Sequence, residues 1–310
     1  MKKSIVLLFA GQGAQEVGMG YSLSEVYPQV KEIIAMADEE LGAELSKVMF
    51  NGPNDKLTQT SWCQPALYVH GLACWEMLKK NCPSLNPVAA AGLSLGEFTA
   101  YSAAGSFSFL DGLKLVAKRG KFMDEACAMT DGSMAAIIGG DEESVRELAK
   151  EYDVDVANLN APGQIVISGS RDNILSAVNK VKDFGCRMGK VLEVAGAYHS
   201  RLMAGAQDKL AKELESFDIA TPNFPVISNV EAKSIVDIDS IRASLERQVT
   251  GSVRWHESME FLLDSSPEAT FIEFSPKPVL AGLMNRIRRE TEVLTVNDPE
   301  SLEEVTIALS

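Results

Sequence analysis

A serine between two glycines is the clearest candidate for chemistry in this chain. The run Gly92-Leu93-Ser94-Leu95-Gly96 has the Gly-x-Ser-x-Gly spacing, in which a serine occupies a sharp turn from a strand to a helix. Glycines two residues before and after the serine let the neighbouring backbone pass without a Cβ clash. The pattern predicts that Ser94 is a nucleophile, although five residues alone leave an ordinary glycine-rich turn open as the alternative.

Three histidines are available as a base for such a serine. His70 lies within Leu67–Trp75, an apolar helical run in which a buried structural histidine is the better interpretation. His256 precedes a predicted helix, where capping or surface packing is expected. His199 lies in a loop where a predicted insert rejoins the main body, and clefts form at such junctions. His199 is therefore the best candidate for the base.

The remaining motifs argue against metal and nucleotide chemistry. The histidines are far apart, and the sequence has no His-Glu-x-x-His motif or paired cysteines, so no metal site is predicted. The run Gly11-Gln12-Gly13 lacks the third glycine of a dinucleotide-binding loop. It can instead bring a backbone N–H toward Ser94, and a second N–H from Leu95 would complete an oxyanion hole.

Composition indicates a folded protein that binds neither nucleic acid nor membranes. With 310 residues, 46% of them hydrophobic, the chain can bury one large core or two moderate ones. Its formal net charge of −14 disfavours binding to a phosphate backbone. The apolar run Ile5–Ala10 is too short for a signal peptide or a membrane span, so a buried strand is expected there. Five scattered cysteines without a Cys-x-x-Cys pair are typical of reduced thiols and predict a cytoplasmic location.

Two groups of basic residues stand out against this acidic background. Each is expected to be mostly the solvated face of a helix, although such a group could also bind an anionic cofactor or partner. The first group comprises Lys114, Lys118, Arg119 and Lys121, and the second comprises Arg286, Arg288 and Arg289.

Short apolar runs alternate with amphipathic ones, which predicts an α/β fold with parallel strands and crossover helices. Residues 133–194 instead predict the order β-α-β-β-α-β, which is that of a ferredoxin-like unit. The predicted strands are 5–9, 88–91, 134–138, 154–158, 165–168 and 190–194, and the predicted helices are 26–41, 65–80, 97–104, 111–128, 142–151 and 171–184. The chain is therefore expected to have a large α/β subdomain, 1–128 and 196–310, and a ferredoxin-like small subdomain, 129–195.

Together these motifs resemble the malonyl-CoA:acyl carrier protein transacylases of bacterial fatty acid synthesis. The resemblance covers nearly all of the chain, and the fold of that family, a hydrolase-like α/β core with a ferredoxin-like insert, agrees with the element order above. The motifs that carry the resemblance are Phe9–Gln15, Gly92–Glu97, Arg119-Gly120, Asn158–Gln164, Gly196–Ser200, and Gln248 ahead of Val253-Arg254-Trp255.

The resemblance implies a ping-pong exchange of thioesters. Ser94, with His199 as base, would take the malonyl group from malonyl-CoA and pass it to the phosphopantetheine thiol of an acyl carrier protein. The imidazole would be oriented by a backbone carbonyl near Gln248. No metal or cofactor would be needed, and a monomer is implied.

The resemblance also assigns the binding groups. Arg119 would make a bidentate contact with the free malonyl carboxylate, because a guanidinium matches two carboxylate oxygens and stays charged when buried. The backbone N–H groups of Gln12 and Leu95 would form the oxyanion hole. An aromatic residue directly before the histidine accompanies malonyl selectivity in relatives, and Tyr198 occupies that position.

Two positions depart from the family pattern. Relatives usually have histidine directly before the nucleophile, where this chain has Leu93, and this puts the rate and the pocket shape in doubt. Residues 274–278, Phe-Ser-Pro-Lys-Pro, replace a more glycine-rich turn.

Two alternative functions remain open at this point. A serine thioesterase or esterase would use the same nucleophile but would admit water and would not need Arg119. A scaffold that binds a carrier protein without turnover would have little reason to keep Ser94 and His199. The sequence does not distinguish a fatty acid pathway from a polyketide pathway, and candidate carrier-docking residues are Lys277, Arg286, Arg288 and Arg289.

Overall fold

Two β-sheets organise the part of the chain that the computed structural model describes, residues 3–310. The strands in chain order are β1 (Ser4–Phe9), β2 (Asn86–Gly92), β3 (Gly132–Ile138), β4 (Asp155–Ala161), β5 (Gln164–Ser170), β6 (Met188–Val191), β7 (Val226–Ile227), β8 (Ser234–Ile235), β9 (Thr270–Phe274) and β10 (Val293–Val296). The α-helices are α1 (Tyr21–Val26), α2 (Pro28–Leu41), α3 (Leu45–Asn51), α4 (Asn54–Leu57), α5 (Thr60–Asn81), α6 (Leu95–Ala103), α7 (Phe109–Met129), α8 (Glu142–Glu151), α9 (Arg171–Lys180), α10 (Ala204–Glu215), α11 (Ile238–Arg247), α12 (Trp255–Ser265), α13 (Val279–Ile287) and α14 (Pro299–Ala308).

The larger sheet has the strand order β10-β9-β1-β2-β7-β8. The central strand β1 pairs in parallel with β2 and β9, so that Leu7 lies opposite both Ala90 and Ile272. Helices cover both faces of such a sheet, which explains why β1 is an unbroken apolar run and is buried from Ile5 onward. The α/β prediction is confirmed, with one difference: β8 runs antiparallel to β7, so the sheet is mixed.

The smaller sheet is antiparallel, with the order β4-β5-β3-β6, and matches the predicted β-α-β-β-α-β arrangement. Its residues alternate between two cores, as the period of a strand requires. Ala135 and Ile137 pack in the small core, whereas Met134 and Val166 on the opposite face join the main core. The sheet itself spans Gly132–Val191, and the subdomain boundaries at 128/129 and 195/196 stay a prediction.

Some predicted element boundaries were wrong. The helix expected over 26–41 begins instead at Pro28, and Tyr27 is extended, because a residue before proline is pushed out of the helical region while proline itself suits the first helical position. The helix expected over 171–184 ends at Lys180 and continues as a 3₁₀ turn over Val181–Phe184. The last strand of the insert lies at Met188–Val191, not 190–194.

Two of the three histidines lie outside the candidate site. His70 is buried in α5 with its Nε2 3.5 Å from Cys74 Sγ, and burial lowers its pKa to about 4. His256 lies in the first turn of α12 and pairs with Glu260 over 3.2 Å. Both placements agree with the structural interpretations. Across residues 3–310, no helix combines the length and apolar character needed to cross a bilayer.

Candidate active site

Ser94 occupies the turn between β2 and α6 in a conformation that ordinary residues avoid. Its backbone has φ 55° and ψ −107°, and such strain is concentrated at functional positions. The flanking glycines make the turn possible. A Cβ on Gly92 would lie 1.9 Å from the backbone carbonyl carbon of Gly96, and a Cβ on Gly96 would lie 2.0 Å from the Phe9 carbonyl oxygen. The turn therefore presses the start of α6 against the end of β1.

The structure brings His199 to Ser94. The hydroxyl of Ser94 lies 2.8 Å from His199 Nε2, and His199 Nδ1 lies 2.8 Å from the backbone carbonyl of Gln248. Because a carbonyl only accepts, the proton belongs on Nδ1 and leaves Nε2 free to accept the serine proton. The contact comes from a backbone carbonyl, the kind of group that the family resemblance implied.

The imidazole of His199 is set up as a neutral base. Burial and then the charge of Arg119 lower its pKa to about 4, against an ordinary value of 6.5. Backbone hydrogen bonds at Gln248 and Gly251 act in the opposite direction but are smaller. His199 is therefore neutral near pH 7, as a general base must be.

Arg119 is buried beside Ser94, unlike the other residues of its basic group. Its side chain is 1% exposed, and its Nη2 donates to Ser94 Oγ over 3.1 Å and to Gln248 Oε1 over 2.8 Å. Nε and Nη1 have no acceptor among residues 3–310. Burial lowers its pKa to about 10, which still leaves it protonated at neutral pH. By contrast, the neighbouring Lys114 and Lys118 are partly exposed and form ion pairs with Glu40 and Glu213.

The predicted oxyanion donors lie on the two turns nearest the serine. Gln12 follows β1, and Leu95 is the first residue of α6. The turns are in close contact, because a Cβ on Gly11 would lie 2.3 Å from the carbonyl oxygen of Leu93. Gln12, Ser94 and Leu95 line the same cavity. The backbone N–H groups of Gln12 and Leu95 have no acceptor within the described chain, so both are available to an oxyanion.

A cavity of about 240 Å³ lies above Ser94, between the small antiparallel sheet and the elements that surround the larger sheet. One wall is formed by the small sheet and the segment that follows β6. The other wall is formed by residues around the larger sheet. The small-sheet wall is formed by Met134, Asn158, Asn160, Gln164, Val166, Leu192 and Val194, and the larger-sheet wall by Gln12, Gln64, Leu93, Ser94, Leu95, Met123, Tyr198, His199, Val279 and Leu283. This mixed lining suits a ligand with an apolar arm and a few polar groups.

The family of this chain follows from comparison with known proteins. A family model described as an acyl transferase domain matches residues 6–302. The chain belongs to the acyl transferase domain family.

Individual acyl transferases resemble this chain over nearly its whole length. The malonyl CoA-acyl carrier protein transacylase of Bacillus subtilis is 40% identical over 304 residues, which are 96% of this chain and 95% of that protein. A polyketide biosynthesis malonyl CoA-acyl carrier protein transacylase of Bacillus velezensis is 40% identical over 295 residues, 93% of this chain and 98% of that protein.

Solved acyl transferase structures share the fold. The malonyl CoA-acyl carrier protein transacylase of Coxiella burnetii superposes with a TM-score of 0.95 at 34% identity and covers 100% of this chain and 98% of its own. A malonyl-transacylase solved in complex with a type II polyketide acyl carrier protein gives a TM-score of 0.94 at 35% identity, covering 99% of each chain.

The structure shows the surroundings of the two positions at which this acyl transferase departs from the family pattern. Leu93 lines the cavity, and its backbone N–H donates to the Phe9 carbonyl, so the turn keeps its backbone contacts without a histidine. The 274–278 turn is held by the buried carboxylate of Glu273, which accepts from Ser275 Oγ over 2.8 Å and from the N–H groups of Leu280 and Ala281 over 3.0 and 2.8 Å. These bonds anchor the start of α13 beside the cavity.

Sequence reasoning missed two buried residues behind the site. Asn229 accepts from the Ser94 N–H through Oδ1 and donates to the Gly92 carbonyl through Nδ2, both over 2.7 Å. Glu97 is completely buried and accepts from Gln248 Nε2 over 2.7 Å. One signal in the sequence indicates that Glu97 is buried and functional, because it is an acidic residue in the first turn of an apolar helix. The signal for Asn229 was weak, because it is only a polar residue two positions after the two-residue strand β7.

Proposed function

We propose that this protein transfers a malonyl group from malonyl-CoA to the phosphopantetheine thiol of an acyl carrier protein through an ester on Ser94, in fatty acid synthesis. One observation carries the proposal: a buried guanidinium lies 3.1 Å from a serine hydroxyl that is itself 2.8 Å from a neutral imidazole. A nucleophile next to a fixed cation suits an acyl donor that carries a free carboxylate.

In the first half-reaction His199 Nε2 takes the proton of Ser94, and Oγ attacks the thioester carbonyl of malonyl-CoA. The negative charge that develops on the carbonyl oxygen is stabilised by the N–H groups of Gln12 and Leu95. The C–S bond then breaks, and the imidazolium returns the proton to the CoA thiolate. The products are free CoA and the malonyl ester of Ser94.

The second half-reaction runs the same chemistry in reverse with a different thiol. The phosphopantetheine thiol gives its proton to His199 and attacks the ester carbonyl. The C–O bond to Ser94 breaks, and the imidazolium protonates the leaving Oγ. One base therefore serves both halves, and these steps need no metal or cofactor.

Arg119 would select the malonyl group by its carboxylate. A planar guanidinium can present two N–H groups to the two carboxylate oxygens. Nη1 is without an acceptor in the described structure, and Nη2 can exchange its hydrogen bond with the Ser94 hydroxyl for one with the substrate. An acetyl group has no free carboxylate and therefore cannot form this ion pair with Arg119.

Tyr198 supports malonyl over methylmalonyl as the substrate. Its ring lines the cavity, and its hydroxyl lies 2.7 Å from Thr60 Oγ1, which fixes the ring in place. A fixed ring next to the base should crowd an α-methyl group. The discrimination would be partial, because a methylene-sized misfit costs only about 1–3 kcal/mol.

The carrier protein would dock near α13. Arg286 and Arg289 are exposed, and within residues 3–310 neither has an acidic partner at salt-bridge distance, whereas Lys277 faces Glu16 over 3.8 Å. The same helix contributes Val279 and Leu283 to the cavity. A basic surface at the cavity mouth would suit an acidic carrier protein and would offset the net charge of −14. We further propose that the protein works as a monomer in the cytoplasm.

The main rival activity is hydrolysis of the acyl-enzyme, as in a thioesterase. The test is a steady-state assay with malonyl-CoA, run with and without an acyl carrier protein that bears its phosphopantetheine arm. The proposal predicts malonyl-carrier as the main product and little free malonate. Release of free malonate without a carrier, as fast as malonyl-CoA is consumed, would identify a hydrolase, and no turnover with either would favour the scaffold.

A further inference from the structure

The side chain of Gln248 is fully buried, and its two ends face different partners. Nε2 donates to Glu97 Oε2 over 2.7 Å and to the backbone carbonyl of Ser94 over 2.8 Å, while Oε1 accepts from Arg119. A reversed amide would point its oxygen at two acceptors and its NH₂ at a guanidinium that can only donate. The network therefore assigns one orientation, and Glu97 is the side chain that holds the NH₂ end.

Glu97 Oε2 also stabilises the turn that carries Ser94, through Asn229. Glu97 Oε2 accepts from the backbone N–H of Asn229 over 3.1 Å, and the Asn229 side chain bonds both Ser94 and Gly92. Glu97 thus contacts two residues that each contact the reacting groups, and its hydrogen bonds do not include Ser94 Oγ or the His199 imidazole.

The hydrogen bonds of Glu97 also compensate for the burial of its carboxyl group. Glu97 and Arg119 are both essentially inaccessible, at 0% and 1% exposure, and a buried charge is costly unless another charge or a hydrogen bond compensates it. Burial raises the pKa of Glu97 to about 7, while Gln248, Asn229 and Arg119 act to lower it. Glu97 Oε1 has no partner in the described part of the chain.

We propose that Glu97 is a positioning residue for the transfer reaction: its carboxyl holds the Gln248 amide, which holds Arg119 in the orientation that receives the substrate carboxylate. Gln248 then links both functions, since its backbone carbonyl orients His199 and its side chain orients Arg119. This inference rests on the proposed malonyl transfer.

Two substitutions separate hydrogen bonding from bulk. In Glu97→Gln, the amide oxygen can accept both hydrogen bonds now made by Oε2, and the NH₂ group can occupy the unpartnered Oε1 position. Glu97→Met keeps a similar volume but accepts neither bond. Because both lost hydrogen bonds are made to an acidic group, Glu97→Met should slow malonyl loading of Ser94 by at least about tenfold more than acetyl loading. Glu97→Gln should stay within about fivefold of the unmodified protein for both.

The readout is the ratio of the malonyl and acetyl loading rates, because acetyl does not use Arg119. Tyr101→Phe is the matched control: it lies on the same helix, its hydroxyl has no partner among residues 3–310, and both rates should be unchanged. Gln248→Met removes the amide but keeps the backbone carbonyl, so it should lower the ratio as Glu97→Met does. The double variant should be no worse than either single one, since residues in one network are not additive.

Equal slowing of malonyl and acetyl loading in Glu97→Met, or additive effects in the double variant, would overturn the positioning role. If Glu97→Met does not fold, Glu97→Leu, which also accepts neither hydrogen bond of Oε2, takes its place in the comparison. Crystal structures of the Glu97 variants test the positioning without substrate. The 2.8 Å contact of Arg119 Nη2 with Gln248 Oε1 should survive in Glu97→Gln and break in Glu97→Met or Glu97→Leu. Failure of the unmodified protein to form a malonyl ester would refute the proposed function, while this structural comparison would still decide the role of Glu97.

Discussion

Replacing Arg119 with alanine should abolish the preference for malonyl. In the proposed binding mode, the buried Arg119 donates two guanidinium N–H groups to the substrate carboxylate, and each hydrogen bond to a charged group is worth about 1.5–3 kcal/mol. Their sum of roughly 3–6 kcal/mol corresponds to a fall in malonyl loading of about 10²- to 10⁴-fold. Acetyl lacks the carboxylate, so its loading should change far less.

The assay is the single-turnover rate at which Ser94 is acylated, measured by quenched-flow mass spectrometry with malonyl-CoA and with acetyl-CoA. Arg119→Lys should recover only part of the loss, because an ammonium keeps the charge but not the planar fork. Lys118→Ala is the matched control, since Lys118 is the preceding residue of the same helix and its ammonium contacts Glu213 and the Phe217 ring rather than the candidate site.

Two results would show that Arg119 does not select malonyl by its carboxylate. Malonyl loading that is unchanged in Arg119→Ala would show that the carboxylate binds elsewhere. An equal fall in malonyl and acetyl loading would show that Arg119 supports Ser94 or the fold and does not select the substrate.

Four further predictions follow from the geometry. Tyr198→Ser should raise methylmalonyl loading relative to malonyl by about tenfold, measured by competition between the two CoA esters, and an unchanged ratio would remove Tyr198 from selectivity. Because the pKa of His199 is lowered to about 4, the base stays neutral as the pH falls from 7 to 5, while Glu97, with a pKa of about 7, loses its charge; malonyl loading should therefore drop by less than about fivefold, as in Glu97→Gln, and a larger fall that follows an ordinary histidine pKa near 6.5 would contradict the neutral burial of the ring. Gly92→Ala should prevent folding or greatly lower the thermal midpoint, because its Cβ would overlap the helix start, and normal stability would contradict the packed turn. Transfer to the carrier protein should slow as salt rises, and Arg286→Glu together with Arg289→Glu should raise KM for the carrier but not for malonyl-CoA; salt-independent transfer would argue against this docking surface.

Much of the fold was accessible from the sequence because its signals are local. The apolar run at β1, the small residues around Ser94 and the N-caps Asp141 and Ser170 each act within a few residues of themselves. The ferredoxin-like order followed from such signals alone. The strand β8 was missed because two residues carry no periodicity, and the break at Tyr27 was missed because the apolar pattern continues across it.

The candidate site was predictable only where a residue type is scarce or a motif is known. His199 could be selected because the chain has only three histidines as candidates for the base. Nothing in the local sequence, by contrast, links Arg119 to Ser94. That pairing came from the family resemblance. Asn229 and Glu97 were missed because their partners are 135 and 151 residues away, and only the folded chain brings them together.

The most direct test of malonyl transfer is the intact mass of the protein after brief mixing with malonyl-CoA. We expect the protein to gain one malonyl group, which should be absent in Ser94→Ala and should move to the acyl carrier protein when the carrier is added. A protein that gains no malonyl group, or that keeps it in the presence of the carrier, would not be a malonyl transferase acting through Ser94.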